Sequence, residues 1–307
     1  MRQTLLLLIA CLTLSHPVRG DDAIDVFRLL CWPRLTSAEQ RLLDEVQGGR
    51  LPPRSFLPAS LRFGADEFQS PLNDDEIRRL ESECERQIRQ CRDSLAGLQP
   101  ANDEARAAFV FAYLHRHLLT GDYAADAYQV ARTLQTGDYN CLSATILFQL
   151  FCEACDIPVR GRSEPAHVCC ELAGARPLRI EMTLPDWQEA TRQTNGASFA
   201  DGRQVNSVHL LAKLFFNRSV QLQTRTAAYP TALAAAWMAV CLDPQDDAAR
   251  QNLAACLNNW ALVECEHGHL GLAEELLSAG LRWRPSQLEF SHNLSYLHRC
   301  YLPGPAG

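Results

Sequence analysis

The sequence has no excess of basic residues and no basic run: 29 Lys and Arg stand against 36 Asp and Glu, for a net charge of −7. This balance argues against nucleic acid as the main partner. The chain also lacks the run of about 20 apolar residues that a bilayer-spanning helix requires. Its hydrophobic share of 47% and charged share of 21% are those of globular proteins, which excludes a mainly disordered or collagen-like chain. The 307 residues suffice for about two domains.

The first 20 residues are typical of a secretion signal. A short basic start, an apolar run over residues 5–14 and small residues at positions −3 and −1 of a cleavage site after Gly20, Val18 and Gly20 themselves, form the expected pattern. We therefore expect residues 1–20 to be a signal peptide and the protein to be exported, periplasmic or extracellular. The alternative is a lipid anchor on the membrane, because the residues before Cys11 resemble a bacterial lipoprotein box. No segment is expected to span a membrane.

Thirteen cysteines are present, and twelve remain once Cys11 is removed with the signal. An even number could pair as disulfides in an oxidising compartment. Several, however, lie on apolar helical patterns, such as Cys84, Cys91 and Cys256. Because a buried free cysteine packs as a small hydrophobic residue, we expect packing for most of the twelve. The spacing does not define which of them would pair.

Two regions differ in character before the C-terminal third. Residues 21–100 carry polar helical patterns and are expected to be helical, whereas residues 101–215 combine helices with short strands. In this second region a helix is predicted from about residue 140 to 155, and residues 190–206 are predicted to be a loop. The predicted strands are 159–161, 167–172 and 178–182, with a hairpin turn at 174–177. One helix followed by short strands predicts an α+β fold.

Residues 216–307 are expected to be all-α and to contain a helical repeat. A 34-residue frame from 254 to 287 places Gly268 at a turn between two helices and small residues, such as Ala273 and Gly280, in the second helix. Small side chains at these positions are typical of tetratricopeptide repeats, whose helices cross closely. Because so short an array leaves an end uncovered, we expect it to pack against the central region.

The most informative stretch is 137–144, Gly-Asp-Tyr-Asn-Cys-Leu-Ser-Ala. It places Cys141 directly after a candidate N-cap residue, Asn140, at the start of an apolar helix. Free N–H groups at a helix N-terminus favour a thiolate and can hold an oxyanion. His167 and Glu181 follow on neighbouring predicted strands, which would bring a base and its orienting carboxylate to the thiol. We therefore predict Cys141, His167 and Glu181 to be the catalytic residues.

Three stretches together resemble the motifs of the transglutaminase-like superfamily, and more narrowly its bacterial members with a tetratricopeptide tail: Gly-Asp-Tyr-Asn-Cys-Leu-Ser-Ala at 137–144, Pro-Ala-His-Val at 165–168 and Ile-Glu-Met-Thr at 180–183. The resemblance implies a papain-like core, with a helix packed on a small antiparallel sheet. It also implies acyl transfer, or amide or peptide hydrolysis, on a peptide or protein substrate. Cys141 would be the nucleophile, His167 the base and Glu181 the orienting acid. That third position is usually Asp in the superfamily, and Glu181 is one methylene longer.

Two alternatives stay open. The chain could be a non-catalytic scaffold whose repeats bind a protein partner near Trp260. It could instead hold zinc, for which five neighbouring residues offer soft ligands: Cys152, Cys155, His167, Cys169 and Cys170. Because their spacing matches no zinc pattern, we expect neither a metal nor another cofactor.

Overall fold

The computed structural model describes residues 27–46, 51–63, 72–192 and 202–300. The predicted signal peptide, residues 1–20, and the alternative lipid-anchor site, Cys11, lie outside the described residues. Within the described ranges, no helix combines the length and the apolar composition needed to cross a membrane.

Most of the described chain is helical, and a four-stranded antiparallel sheet interrupts the helices. The α-helices are α1 (Ser37–Glu45), α2 (Pro53–Phe63), α3 (Asp74–Leu98), α4 (Asp103–His117), α5 (Val130–Thr136), α6 (Cys141–Ala154), α7 (Trp187–Ala190), α8 (Ser207–Thr226), α9 (Tyr229–Leu242), α10 (Asp247–Glu266), α11 (Leu270–Trp283) and α12 (Leu288–Cys300). The strands are β1 (Val159–Glu164), β2 (His167–Leu172), β3 (Leu178–Ile180) and β4 (Arg203–Val205). Residues 27–31 are also helical and lead into a 3-10 turn, Trp32–Arg34. The α+β class predicted from the sequence is confirmed.

The sheet has the strand order β3-β2-β1-β4. β1 and β2 form an antiparallel hairpin that sets Glu164 opposite His167, and β2 and β3 form a second hairpin that sets Leu172 opposite Leu178. The three strands predicted from the sequence are confirmed, although β1 runs on to Glu164, three residues further than predicted, and β3 ends at Ile180, two residues earlier. The second hairpin places the start of β2 close to the residues that follow β3.

β4 corrects the prediction of a loop over residues 190–206. Its residues Arg203–Val205 pair antiparallel with positions 161–163 of β1. This pairing supplies partners to main-chain groups along the outer edge of β1, which would otherwise be left without them. A three-residue strand is too short to show the alternation by which strands are predicted.

Helix α6 lies against the sheet and forms the centre of the core. Every residue from Leu142 to Cys152 is buried, and the helix packs on β1 and β2. Gln149 Oε1 accepts a hydrogen bond from the Gly161 N–H at 3.0 Å, which ties the helix to the sheet. The helix ends before Pro158, as predicted, because proline disfavours helical backbone at the residue before it.

Helices α8 to α12 each pack against the next along the chain. α10 and α11 meet at Gly268, whose φ of +78° suits the glycine predicted for this turn. In α11, a Cβ at Gly280 would overlap the ring of Phe290, so the small residue allows close helix packing. α8 runs unbroken through positions 215 and 216, where the central and repeat regions were expected to meet.

The N-terminal residues cover the tryptophans of the C-terminal helices. The ring of Phe27 packs edge-on against Trp283 at 5.0 Å between ring centroids. The guanidinium of Arg34 lies over the ring of Trp260, 5.5 Å from its centroid. These contacts join the two ends of the described chain into one packed unit.

We predict that Gly280→Ala lowers the free energy of unfolding by about 1–3 kcal/mol, because the added methyl group overpacks the contact with Phe290. Gly271→Ala in the same helix is the matched control. Nothing lies within 4 Å of a Cβ at Gly271, so this variant should be neutral or up to about 1 kcal/mol more stable. Urea unfolding measures both, and equal stability of the two variants would contradict the close packing.

Candidate active site

Cys141 is the first residue of α6, and the residue is partly exposed. Asn140 caps the helix, because its Oδ1 accepts hydrogen bonds from the N–H groups of Leu142 at 2.8 Å and Ser143 at 3.2 Å. Ser143 Oγ accepts a hydrogen bond from the Asn140 N–H at 3.1 Å in return. The Cys141 N–H has no acceptor within its own helix at this position. A thiol and a main-chain donor therefore lie together at the positive end of the helix dipole.

Two further hydrogen bonds hold the Asn140–Ser143 cap in place. Asn140 Nδ2 donates to the carbonyl of Ala125 at 3.0 Å, and Ser143 Oγ donates to the carbonyl of Ala127 at 2.8 Å. Both side chains are buried. Cys141 therefore sits on a helix start whose position is fixed by hydrogen bonds to a separate segment of chain.

The second and third predicted site residues are in direct contact. His167 begins β2, and Glu181 directly follows β3. Nε2 of His167 and Oε2 of Glu181 are 2.7 Å apart, so the longer glutamate side chain reaches the imidazole. Because Nε2 is engaged, Nδ1 is the ring nitrogen left to exchange a proton with a thiol.

Further hydrogen-bond donors, which were not predicted from the sequence, orient Glu181. Its Oε1 accepts from the Thr183 hydroxyl at 2.8 Å and from the Thr183 N–H at 3.2 Å. The guanidinium of Arg179 lies 3.3 Å from Oε2 and binds both carboxylate oxygens of Glu164 at 2.8 Å. The side chain of Glu181 is only 14% exposed. The carboxylate is therefore held in one orientation toward His167.

The electrostatics of the three residues are coupled. The hydrogen bond to the Cys141 thiol, followed by the hydrogen bond to Glu181, raises the pKa of His167 to about 10. Burial alone would raise the pKa of Glu181, but the hydrogen bond and charge of His167, together with Thr183, lower it to about 2. At neutral pH the imidazole is thus protonated beside an ionised carboxylate.

The site opens into a cleft of about 880 Å³. One wall carries the thiol and the β1–β2 turn, and the other is formed by α8 and the start of α10. The residues that line the opposite wall include Lys213, Phe216, Asp246 and Gln251. The C-terminal helices therefore help to form the cleft. This contribution was not predicted from the sequence.

Tyr123 lines this cleft and is exposed. Its ring packs edge-on against Tyr139, with centroids 6.4 Å apart. Partial burial, followed by the negative charges of Cys141 and Glu181, raises the pKa of its hydroxyl. A neutral phenol is therefore available near the thiol at physiological pH.

The zinc alternative is not supported by the geometry. Cys169 and Cys170 lie on opposite faces of β2: the Cys169 thiol contacts Glu164, and the Cys170 thiol contacts the carbonyl of Thr145 in α6. Among the described residues, the five candidate ligands do not form a cluster within metal-binding distance. His167 is instead engaged by Glu181.

Comparison with protein-family models, with curated proteins and with solved structures finds no match to this chain. The structure brings all three predicted site residues together: a thiol at a helix N-terminus, an imidazole and a carboxylate.

We predict that His167 titrates near pH 10 and that Glu181→Gln moves this titration to lower pH, because the amide removes the charge that favours the imidazolium. NMR chemical shifts of the His167 ring measure the effect. Glu274→Gln, which neutralises a surface carboxylate paired with His298, is the control and should leave the His167 titration unchanged. Titration of His167 near its ordinary pKa of about 6.5 in both wild type and Glu181→Gln would contradict the coupling.

Proposed function

We propose that the protein is a transglutaminase-like thiol enzyme, a cysteine peptidase, amidase or acyltransferase, with Cys141, His167 and Glu181 as its catalytic residues. The observation that carries the proposal is the contact of His167 with both Glu181, at 2.7 Å, and the Cys141 thiol. The resemblance of three sequence motifs to that superfamily supports it. A buried helix on a small antiparallel sheet is also the arrangement that a papain-like core requires.

In the proposed reaction the Cys141 thiolate attacks the carbonyl carbon of an amide, and the Cys141 N–H helps to hold the oxyanion. The imidazolium of His167 gives its proton to the leaving amine as the C–N bond breaks, which leaves a thioester on Cys141. His167 then takes a proton from the second nucleophile, which attacks the thioester and restores the thiolate and the imidazolium. Glu181 holds the imidazole in place throughout and stabilises its charged form.

Water as the second nucleophile gives hydrolysis, and an amine gives transfer. We favour hydrolysis, because water is abundant at a partly exposed thiol and the sequence offers no recognisable amine-binding feature. We propose a peptide or protein segment as the substrate, because the thiol lies in a cleft of about 880 Å³, a volume typical of ligand-binding clefts.

For the remaining regions, we propose a tetratricopeptide-like segment in the C-terminal helices and export directed by residues 1–20. The helix pair α10–α11 with its turn at Gly268, and the close contact of Gly280 with Phe290, support the first. The runner-up function is a non-catalytic scaffold that binds a partner near Trp260. That surface is already in contact with Arg34 of the same chain, which weighs against it.

We predict that wild-type protein cleaves amides in a mixed peptide library and that Cys141→Ser abolishes cleavage. Glu181→Gln should slow it by about 100-fold or more, because an unoriented imidazole transfers protons poorly. Cys300→Ser, which removes an exposed thiol elsewhere, should have no effect.

Mass spectrometry detects the new peptide termini that cleavage creates, and it distinguishes hydrolysis from transfer. Incorporation of ¹⁸O from labelled water reports hydrolysis, and incorporation of an added primary amine reports transfer. Equal signals in wild type and Cys141→Ser, including no cleavage by either, would favour the scaffold.

A further inference from the structure

A second group of chemically active side chains lies at the turn between α10 and α11. The backbone of this turn is fixed by three hydrogen bonds: His267 N–H to Val263 O at 3.0 Å, Gly268 N–H to Cys265 O at 3.0 Å, and His269 N–H to Glu264 O at 2.8 Å. Gly268 adopts a φ of +78°, which glycine tolerates without strain. The turn therefore presents its side chains from a defined backbone.

Three of these side chains converge. Glu264, His267 and His269 each offer one ligand atom, and the three atoms lie within 4.8 Å of one another. Oε2 of Glu264 and Nδ1 of His269 are 2.6 Å apart. A hydrogen bond therefore joins the carboxylate of Glu264 to the imidazole of His269, and the imidazole of His267 lies close to both.

Glu264 is positioned by a second contact. Its Oε1 accepts a hydrogen bond from the indole N–H of Trp260 at 2.8 Å, and Trp260 is buried. The other oxygen of the Glu264 carboxylate, Oε2, is the one that contacts His269. A hydrogen bond to the far oxygen of a ligand carboxylate is a typical outer contact of metal sites and orients the ligand. The Glu264 side chain is 15% exposed, whereas that of His269 is 65% exposed. The group is therefore anchored by a mostly buried carboxylate and is open to solvent on the side of His269.

We propose that Glu264, His267 and His269 bind a divalent transition-metal ion such as Zn²⁺, with water completing the coordination. Two imidazoles and one carboxylate are ligands that Zn²⁺ prefers, whereas Ca²⁺ and Mg²⁺ prefer oxygen ligands alone. Ligand atoms about 2.0–2.1 Å from a tetrahedral zinc ion lie roughly 3.3 Å apart. The ion would replace the hydrogen bond between Glu264 and His269 and draw His267 inward by side-chain rotation.

The proposed site is separate from the thiol. α10 begins with Asp247 in the wall of the active-site cleft and ends at Glu266 beside the histidines. A helix of 20 residues is about 30 Å long. The ion would therefore join the last turn of α10 to the start of α11 without contacting the catalytic residues.

The test is isothermal titration of Zn²⁺ alone into the full chain after treatment with a chelator. We expect one ion to bind to wild type and His269→Ala to weaken this binding by at least tenfold, since loss of a ligand costs no less than loss of an outer contact. Glu264→Gln should weaken it similarly while still accepting the hydrogen bond from Trp260. Zn²⁺ should also raise the melting temperature of wild type and not that of His269→Ala.

Two controls make the result decisive. His298→Ala removes a histidine that pairs with a single carboxylate, Glu274, at 2.8 Å, and should bind Zn²⁺ as wild type does. Cys265→Ser tests the neighbouring thiol and should also bind as wild type does. Wild-type affinity in His269→Ala, or loss of binding in Cys265→Ser, would overturn the proposed imidazole–carboxylate site.

Discussion

The burial of helix α6 against the sheet is the constraint on which the site depends. Because the helix is buried from Leu142 to Cys152, it cannot shift along the sheet without exposing apolar surface. Its N-terminal end is additionally fixed by the Asn140 cap. Cys141 is thus the point where a rigid, buried helix reaches the cleft, and β2, which packs on that helix, carries His167 beside it.

Burial also distinguishes Cys141 from the other described cysteines of α3, α6 and β2. The described thiols of α3, α6 and β2 other than Cys141 are buried and unpaired, as expected for cysteines that pack as small hydrophobic residues. Burial raises the pKa of Cys84 to about 12, so this thiol is a poor nucleophile. Cys141 differs in being partly exposed and in contact with His167.

The sequence allowed prediction of the features that depend on local pattern. The α6 helix, the strands β1 and β2 and the residues Cys141, His167 and Glu181 followed from capping, periodicity and motif order. The roles of Thr183 and Arg179 were not predicted, because a polar residue in or just after a strand gives no signal until the fold brings it close to a carboxylate. Two contacts were also not predicted: the cleft wall that α8 and α10 form, and the packing of Phe27 on Trp283. Both bring together segments that are far apart in sequence.

The most direct test of the central claim, that Cys141 and His167 form a reactive pair, is the rate of alkylation of Cys141 by iodoacetamide at about pH 6. An ordinary thiol with a pKa of about 8.5 is then only about 0.3% thiolate. Peptide mass spectrometry can follow Cys141 and the exposed Cys300 in the same sample. Labelling of Cys141 at least ten times faster than Cys300 in wild type, and no faster in His167→Ala, is the predicted result. Equal rates for the two cysteines in wild type would contradict the account.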